Sequence, residues 1–598
     1  MPYERPNESV AESSTQRFTY AAEAPTDRLV VPAQGAQSEP TTQTMSVPAA
    51  ATTPPTELRV HGVSGTPAEE MLDRPLIVRV AGDDEAGFFR PRTEYGATLG
   101  PGGARLEAYR WGNLTAGAAA RAFWLLLLPF TLANVMMWLR PPAKGIGRRI
   151  VHGLCRIFAL TISATLTLTL VGVCLDLVAW QCAAPGSRCV VDRPWLSFLF
   201  TGFFEPTGRR LALATLGPIL LVSALWYLAS RTWSRYEAYK QGKRNPDGDG
   251  LATPTFWDGR DQVGRLRSLH VAAMFAIIDV VLLFVLLDHD LNTNAYGGVG
   301  LARMVPDTVV STGRTLLIVS IGIIVASMLL LLVPSVVDRT SKSRLASVAA
   351  KGLRRLSLLV TAASLGYGLV PRASWPTSGP MPQYSGTVTK LFAAQVGILA
   401  LLLVVVAFQR HRCKGAFLAG FGTPVIGSLA LGVGAAFSAG ISYRVADFLD
   451  GGAVPSPASF AAAAEGQRLD PPLSYQWAAL GFVAMVLVGL VTALWVTLVT
   501  RPRLKRRARP ETDDDYPGGR ERDEGRANQL DTAVANARLS DHVSRVFGVA
   551  WIVLAVAGVA ATWAALADIG PVHLAPSGSQ AAQVLSIVTN AGTYLISL

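Results

Sequence analysis

The chain has 598 residues, half of them apolar, with only 16% charged and a formal net charge of +12. Soluble chains of this length carry about a quarter charged residues, so a soluble globular protein is excluded. The cations sit in short stretches between apolar runs, with no separate basic domain, which excludes a nucleic-acid binder and fits a membrane protein oriented by its loops.

Residues 1–56 are rich in Ala, Thr, Pro, Ser, Gln and Glu without apolar periodicity, and read as a disordered N-terminal tail. Residues 57–117 hold three strand-like runs: ELRV (57–60), PLIVRV (75–80) and LEAYRW (106–111). They predict a small soluble β-containing unit, too small for a large core of its own. The remainder, 118–598, reads as a transmembrane helical domain.

Its apolar runs lie near 120–138, 157–180, 211–229, 269–288, 315–335, 355–370, 391–408, 416–441, 476–499, 545–567 and 580–598. Twenty apolar residues in a helix cross roughly 30 Å of hydrocarbon, and only internally bonded backbone is tolerated there. The predicted fold class is an all-α polytopic membrane protein of about 10–11 transmembrane helices.

Loop charge predicts orientation. Arg140, Lys144, Arg148 and Arg149 share one side with Arg231, Arg235 and Lys240, with Arg354 and Arg355, and with the stretch Arg501–Arg509. On the alternate side Arg303, Arg372, Arg444 and Arg468 stand nearly alone, and the loop 181–210, with Arg188, Arg193, Arg209 and Arg210, is the weakest member of that set. The basic loops are therefore expected to be cytoplasmic, in a multi-pass protein of the cell (inner or plasma) membrane whose partner is the lipid bilayer. The stretch 501–544 reads as a flexible cytoplasmic loop. The side of the N-terminal region stays open. Run 120–138 either crosses or, given Arg121, Pro129 and Asn134, forms a re-entrant or interfacial helix.

Two acidic residues interrupt apolar runs: Asp279 at the middle of AIIDVVLL and Asp176 in CLDLVAW near a helix end. Such residues need a partner or serve an ion pathway. Asp288, His289 and Asp290 in DHDLN read as a solvated helix end, because three adjacent side chains cannot face one ion. Cys182 and Cys189 share the loop 181–210, which is expected to be extracytoplasmic and to permit a disulfide. No Cys-x2-Cys, His-Glu-x-x-His or P-loop pattern is present, so no metal, cofactor or ATP site is expected.

The segment HGVSGTP (61–67) follows the first strand-like run. α/β-Hydrolases present oxyanion-binding amides on such a loop, and His61 and Gly62 are the candidates here. An ordinary turn using Gly62 and Gly65 is the plainer reading. The stretches HGVSGTPAEEML, VRVAGDDEAGFFRPR, EAYRWGNLTAG and WLLLLPFTLANVMMWL resemble the start of a family of actinobacterial multi-spanning membrane proteins of unknown function. That resemblance implies an α/β-hydrolase-like soluble part split by the membrane domain, with a Gly-x-Ser-x-Gly elbow after the helices. No serine here meets the pattern; Ser64 in GVSGT and Ser442 in GISYR both fail the spacing. The expectation is an integral membrane protein without a complete catalytic site. The alternatives are a lipid or ester hydrolase whose nucleophile half is missing from the chain, and a secondary transporter using Asp279.

Overall fold

The computed structural model describes residues 56–61, 65–82, 86–92, 104–112, 127–141, 145–184, 187, 189–236, 260–295, 305–337, 343–372, 375, 377, 379–409, 417–449, 469–513 and 524–597. All but the last residue of the predicted tail 1–56 lies outside them.

The N-terminal unit is a four-stranded sheet of β1 (Thr56–His61), β2 (Ile77–Gly82), β3 (Gly87–Pro91) and β4 (Arg105–Arg110), in the order β1-β4-β3-β2. β1 and β4 run parallel, and the other two pairs are antiparallel. A short helix, α1 (Ala68–Leu72), buries Ala68 and Leu72 against Leu106 and Ala108 of β4. Glu107, fully buried in β4, is held by Arg90 at 2.8 Å. The predicted strands lie within about two residues of β1, β2 and β4. β3 was not predicted: its run GFFRP is short and ends in Pro91.

The rest is helical. α2 (Leu128–Trp138) is followed by α3 (Ile146–Val171), α4 (Thr207–Tyr236), α5 (Arg260–Ala295), α6 (Asp307–Leu332) and α7 (Arg344–Leu369). α8 (Tyr384–Gln409), α9 (Gly422–Leu449), α10 (Leu473–Trp495), α11 (Arg501–Asp513), α12 (Glu524–Leu566) and α13 (Gln580–Ser597) complete it. Eight stretches among the described residues are long and apolar enough to cross a membrane: Ile146–Ala183, Thr207–Ser230, Gln262–Asn292, Asp307–Leu332, Tyr384–Gln409, Gly422–Leu449, Leu473–Pro510 and Gly548–Leu566.

Three of the eleven predicted spans are not among these eight. In 120–138 only residues 127–138 are described, and the 11 helical ones among them rise about 16 Å, while 120–126 lie outside the described residues. α7 forms at 355–370, but Arg344, Lys351, Arg354 and Arg355 dilute its apolar character. α13 forms at 580–598 with only 18 residues, among them Gln580, Gln583 and Asn590. Of the stretch 501–544, expected as a flexible loop, 501–513 and 524–544 are helical and 514–523 lie outside the described residues. α11 and the first half of α12 pack together, burying Leu504 and Ala508 on one and Ala527, Asp531 and Ala535 on the other. This four-residue spacing is a helix contact face, hidden in the sequence by the surrounding charge.

The spans are not equally enclosed. In their most apolar stretches, 78% of the α5 span and 67% of the α3 span are buried, against 11% for α12 and none for α10. α3 and α5 are thus the centre of the bundle, and they carry Asp176 and Asp279 respectively. α10 and α12 expose apolar faces to the surroundings. α13 lies across α9 and α10 at very short range. A Cβ on Gly440 would overlap the Ile596 carbonyl oxygen, and one on Gly592 would come within 2.8 Å of the Ala479 carbonyl oxygen. Small residues permit this backbone-to-backbone approach.

Candidate functional site: a polar seam along the central helix

α3 carries the hydroxyl series Thr161, Ser163, Thr165, Thr167 and Thr169 within LTISATLTLTL. Each donates to a carbonyl three or four residues back, so no backbone bond is lost by burying it. Residues four apart share a helix face, so Thr161, Thr165 and Thr169 form one stripe. On that stripe Gln395 of α8 donates to Thr165 at 2.9 Å, and the hydroxyl oxygens of Thr169 and Ser438 of α9 lie 2.8 Å apart. Ser163 points to α5, 2.8 Å from His270 Nδ1.

Beyond Val171 the helix widens into a π-helical segment, Gly172–Trp180. Such segments arise where a foreign group enters the ladder, and they recur at functional sites. The group here is Tyr384, whose hydroxyl donates to the Leu168 carbonyl at 2.8 Å. Any side chain at residue 172 would overlap that hydroxyl, so only glycine fits.

Asp176 sits inside the π segment and is fully buried. Its Oδ1 accepts from the Met381 amide at 2.7 Å and from Gln181 Nε2 at 3.1 Å. Gln181 also exchanges hydrogen bonds with the Asp470 backbone, at 3.0 and 2.7 Å. The Asp176 Oδ2 has no partner. Neither do Trp180 Nε1 and Gln395 Oε1, both buried. Tyr475 points its hydroxyl toward Thr169, Tyr384 and Ser442. An unmet buried polar atom costs about 1–3 kcal/mol, so three along one seam, beside the Tyr475 and Ser442 hydroxyls, are not explained by packing. They form a polar track from Gln395 to Asp176. On α3 the interval from Thr165 to Asp176 is about 16 Å.

Asp279 is likewise fully buried, near the middle of the α5 span. Its Oδ2 accepts from Thr361 of α7 at 2.9 Å, while its Oδ1 has no partner. Ala276, Ile323 and Val360 pack together one turn away, which brings the partnerless Ser320 hydroxyl of α6 to the same level. Among the described residues no hydrogen bond joins Asp279 to Asp176. The first links α5 to α7, the second links α3 to the α7–α8 connection.

The reading of DHDLN as a solvated helix end holds for Asp288, which is exposed, and fails for Asp290. Asp290 is fully buried and takes a two-pronged ion pair from Arg372, Nε to Oδ1 at 2.8 Å and Nη2 to Oδ2 at 3.0 Å. Tyr367 adds a hydroxyl at 2.6 Å, and Arg372 Nη1 donates to the Tyr367 and Val370 carbonyls. Residue 290 follows the buried 286 and 287 on the inward face of α5, whereas 288 points out. His289 stacks on Trp375 at 3.6 Å. The clamp fastens the end of α5 to the segment after α7. The available signal was Arg372 itself, one of few cations on its side.

Cys182 and Cys189 are joined in a disulfide, with Cα atoms 5.4 Å apart, at the end of the bundle that holds Asp176. For so short a loop the chain-entropy contribution is about 2–3 kcal/mol. Cys182→Ser with Cys189→Ser is expected to lower stability by that amount, read as the thermal midpoint in detergent. Free thiols at both positions in non-reduced membrane protein, by mass spectrometry, would sink the claim.

His61 ends β1, where its carbonyl accepts from Trp111 and its Nδ1 is buried without a partner. Gly62 and Ser64 lie outside the described residues. Among the described residues no three His, Cys, Asp or Glu side chains are placed to hold a metal ion. Comparison of the chain with protein-family models, curated proteins and solved structures finds no match.

Proposed function

We propose that this protein is a secondary transporter of the cell membrane, in which a proton or small monovalent cation moves along the α3 seam and is carried by Asp176. The observation behind it is the run of partnerless polar atoms that ends on a fully buried carboxylate oxygen with no basic side chain bonded to it. A lone carboxylate at that depth is costly, so a proton or cation accompanies it. The Met381 amide holds Oδ1 and leaves Oδ2 to exchange its occupant. Asp279, with the same half-partnered geometry, is the second carboxyl on offer to the same ion. The basic loops then face the cytoplasm, and the Asp176 end faces outward.

A hydrolase reading has only the placement of His61 in its favour, and the sequence offers it no Gly-x-Ser-x-Gly nucleophile. The transport reading is tested in proteoliposomes holding an internal pH dye, with an imposed proton, sodium or potassium gradient. Expected is a flux above that of protein-free vesicles. Asp176→Asn should slow it at least roughly tenfold, the factor given by about 1.4 kcal/mol of barrier. No flux under any of the three gradients, or an undiminished rate in the variant, would overturn the proposal.

A further inference from the structure

Where the α10 helix leaves its apolar stretch, its chemistry changes within one turn. Leu487, Leu490, Val491, Leu494, Trp495 and Leu498 are all more than half exposed, an apolar face that no other described helix covers. Trp495 near its end is the type of residue that settles at a membrane–water boundary. The same continuous helix then presents Arg501, Arg503, Arg506 and Arg507, all exposed. Lys505 is turned instead toward α12. It lines a cleft of about 410 Å³ between α11 and α12 with Asn528, Gln529, Thr532, Ala533 and Asn536.

The lining is specific in its chemistry. One ammonium group, three side-chain amides and one hydroxyl offer donors to an anion, and among the described residues no carboxylate lines the cleft. Lys505 lies five residues past Thr500, about 7.5 Å along the helix axis. The headgroup layer outside the hydrocarbon is about 5–8 Å deep on each side, so the cleft opens at its level. A molecule with acyl chains against the α10 face would carry its phosphate to Lys505.

We propose that the α11–α12 cleft binds the headgroup phosphate of an anionic phospholipid whose acyl chains lie along the exposed face of α10. The four flanking arginines add attraction for negative lipid, each cation near such a surface contributing about 1 kcal/mol. The cleft supplies what a merely basic surface lacks: a lysine grouped with three side-chain amides and a hydroxyl. This is independent of ion movement along α3.

The test uses the full chain, purified in a neutral detergent and titrated with phosphatidylglycerol or phosphatidylcholine, with bound lipid counted by native mass spectrometry. Expected is retention of one phosphatidylglycerol at about tenfold lower concentration than phosphatidylcholine, a difference of about 1.4 kcal/mol. Lys505→Glu should abolish that preference and Lys505→Gln should weaken it, with Lys505→Gln deciding if the charge reversal fails to fold. The double variant Arg148→Gln, Arg149→Gln, on exposed basic residues of α3 away from the cleft, should keep it. Equal retention of the two lipids, an unchanged preference in Lys505→Gln, or an equal loss in the α3 double variant would overturn the proposal. So would stoichiometric displacement of the lipid by inorganic phosphate, which would mark a site for the free anion.

Discussion

Arg372→Met is expected to destabilise the protein by about 3–5 kcal/mol, the usual result of removing one partner from a buried ion pair. Arg372 and Asp290 have side-chain exposures of 1% and 0%, so solvent does not take over when the guanidinium is lost. Asp290 would keep only the Tyr367 hydroxyl. The variant also frees the Tyr367 and Val370 carbonyls that Arg372 Nη1 now satisfies. The double variant Asp290→Leu, Arg372→Met should recover most of the loss, because it removes the stranded charge as well. Thermal midpoints in detergent, compared across both single variants and the double, give the coupling. A single variant within about 0.5 kcal/mol of the parent, the scatter of ordinary surface substitutions, would contradict the buried pair.

The second large effect is expected at the crossing of α13 with α9 and α10. Gly440→Val and Gly592→Val each place a side chain where a backbone carbonyl now lies. Backbone cannot rotate out of the way as the end of a lysine would. Overpacking of this kind costs about 1–3 kcal/mol per site. Both substitutions act on the one helix, so together they should release α13 from the bundle. Protease cleavage within 567–579, slow in the parent, should become fast in the double variant. Unchanged cleavage would show that the two helices separate without strain.

The membrane helices were legible because runs such as 391–408 and 476–499 are long and nearly uncharged, a signal that survives without knowledge of packing. α7 and α13 were legible as helices but not as lesser members of the bundle, since enclosure by neighbours depends on tertiary structure. Asp279 and Asp176 could be picked out singly, because a carboxyl in an apolar run is conspicuous. Their partners could not. Thr361 is 82 residues from Asp279, and Met381 is 205 from Asp176. The same distance problem concealed Asp290 and Arg372, although each stood in a stretch already marked as unusual. The hydroxyl series of α3 was plainly visible in the sequence. Its meaning was not, because Ser and Thr in a membrane helix commonly bond their own backbone, and only Gln395, Ser438 and Tyr475 on other helices turn the stripe into a track.

The π-helical segment Gly172–Trp180 has a consequence for how related sequences would diverge. A π turn is an α-helix that has gained one residue, and removal of one residue restores the regular ladder. What such a deletion removes is the opening that Tyr384 enters, because a restored ladder returns the Leu168 carbonyl to a backbone amide. Composition, hydropathy and predicted span would scarcely change. A chain one residue shorter between Thr169 and Asp176 would no longer need a glycine at position 172 to make room for the Tyr384 hydroxyl. In any alignment, the residue count of this stretch and the identities of residues 172 and 384 should therefore change together.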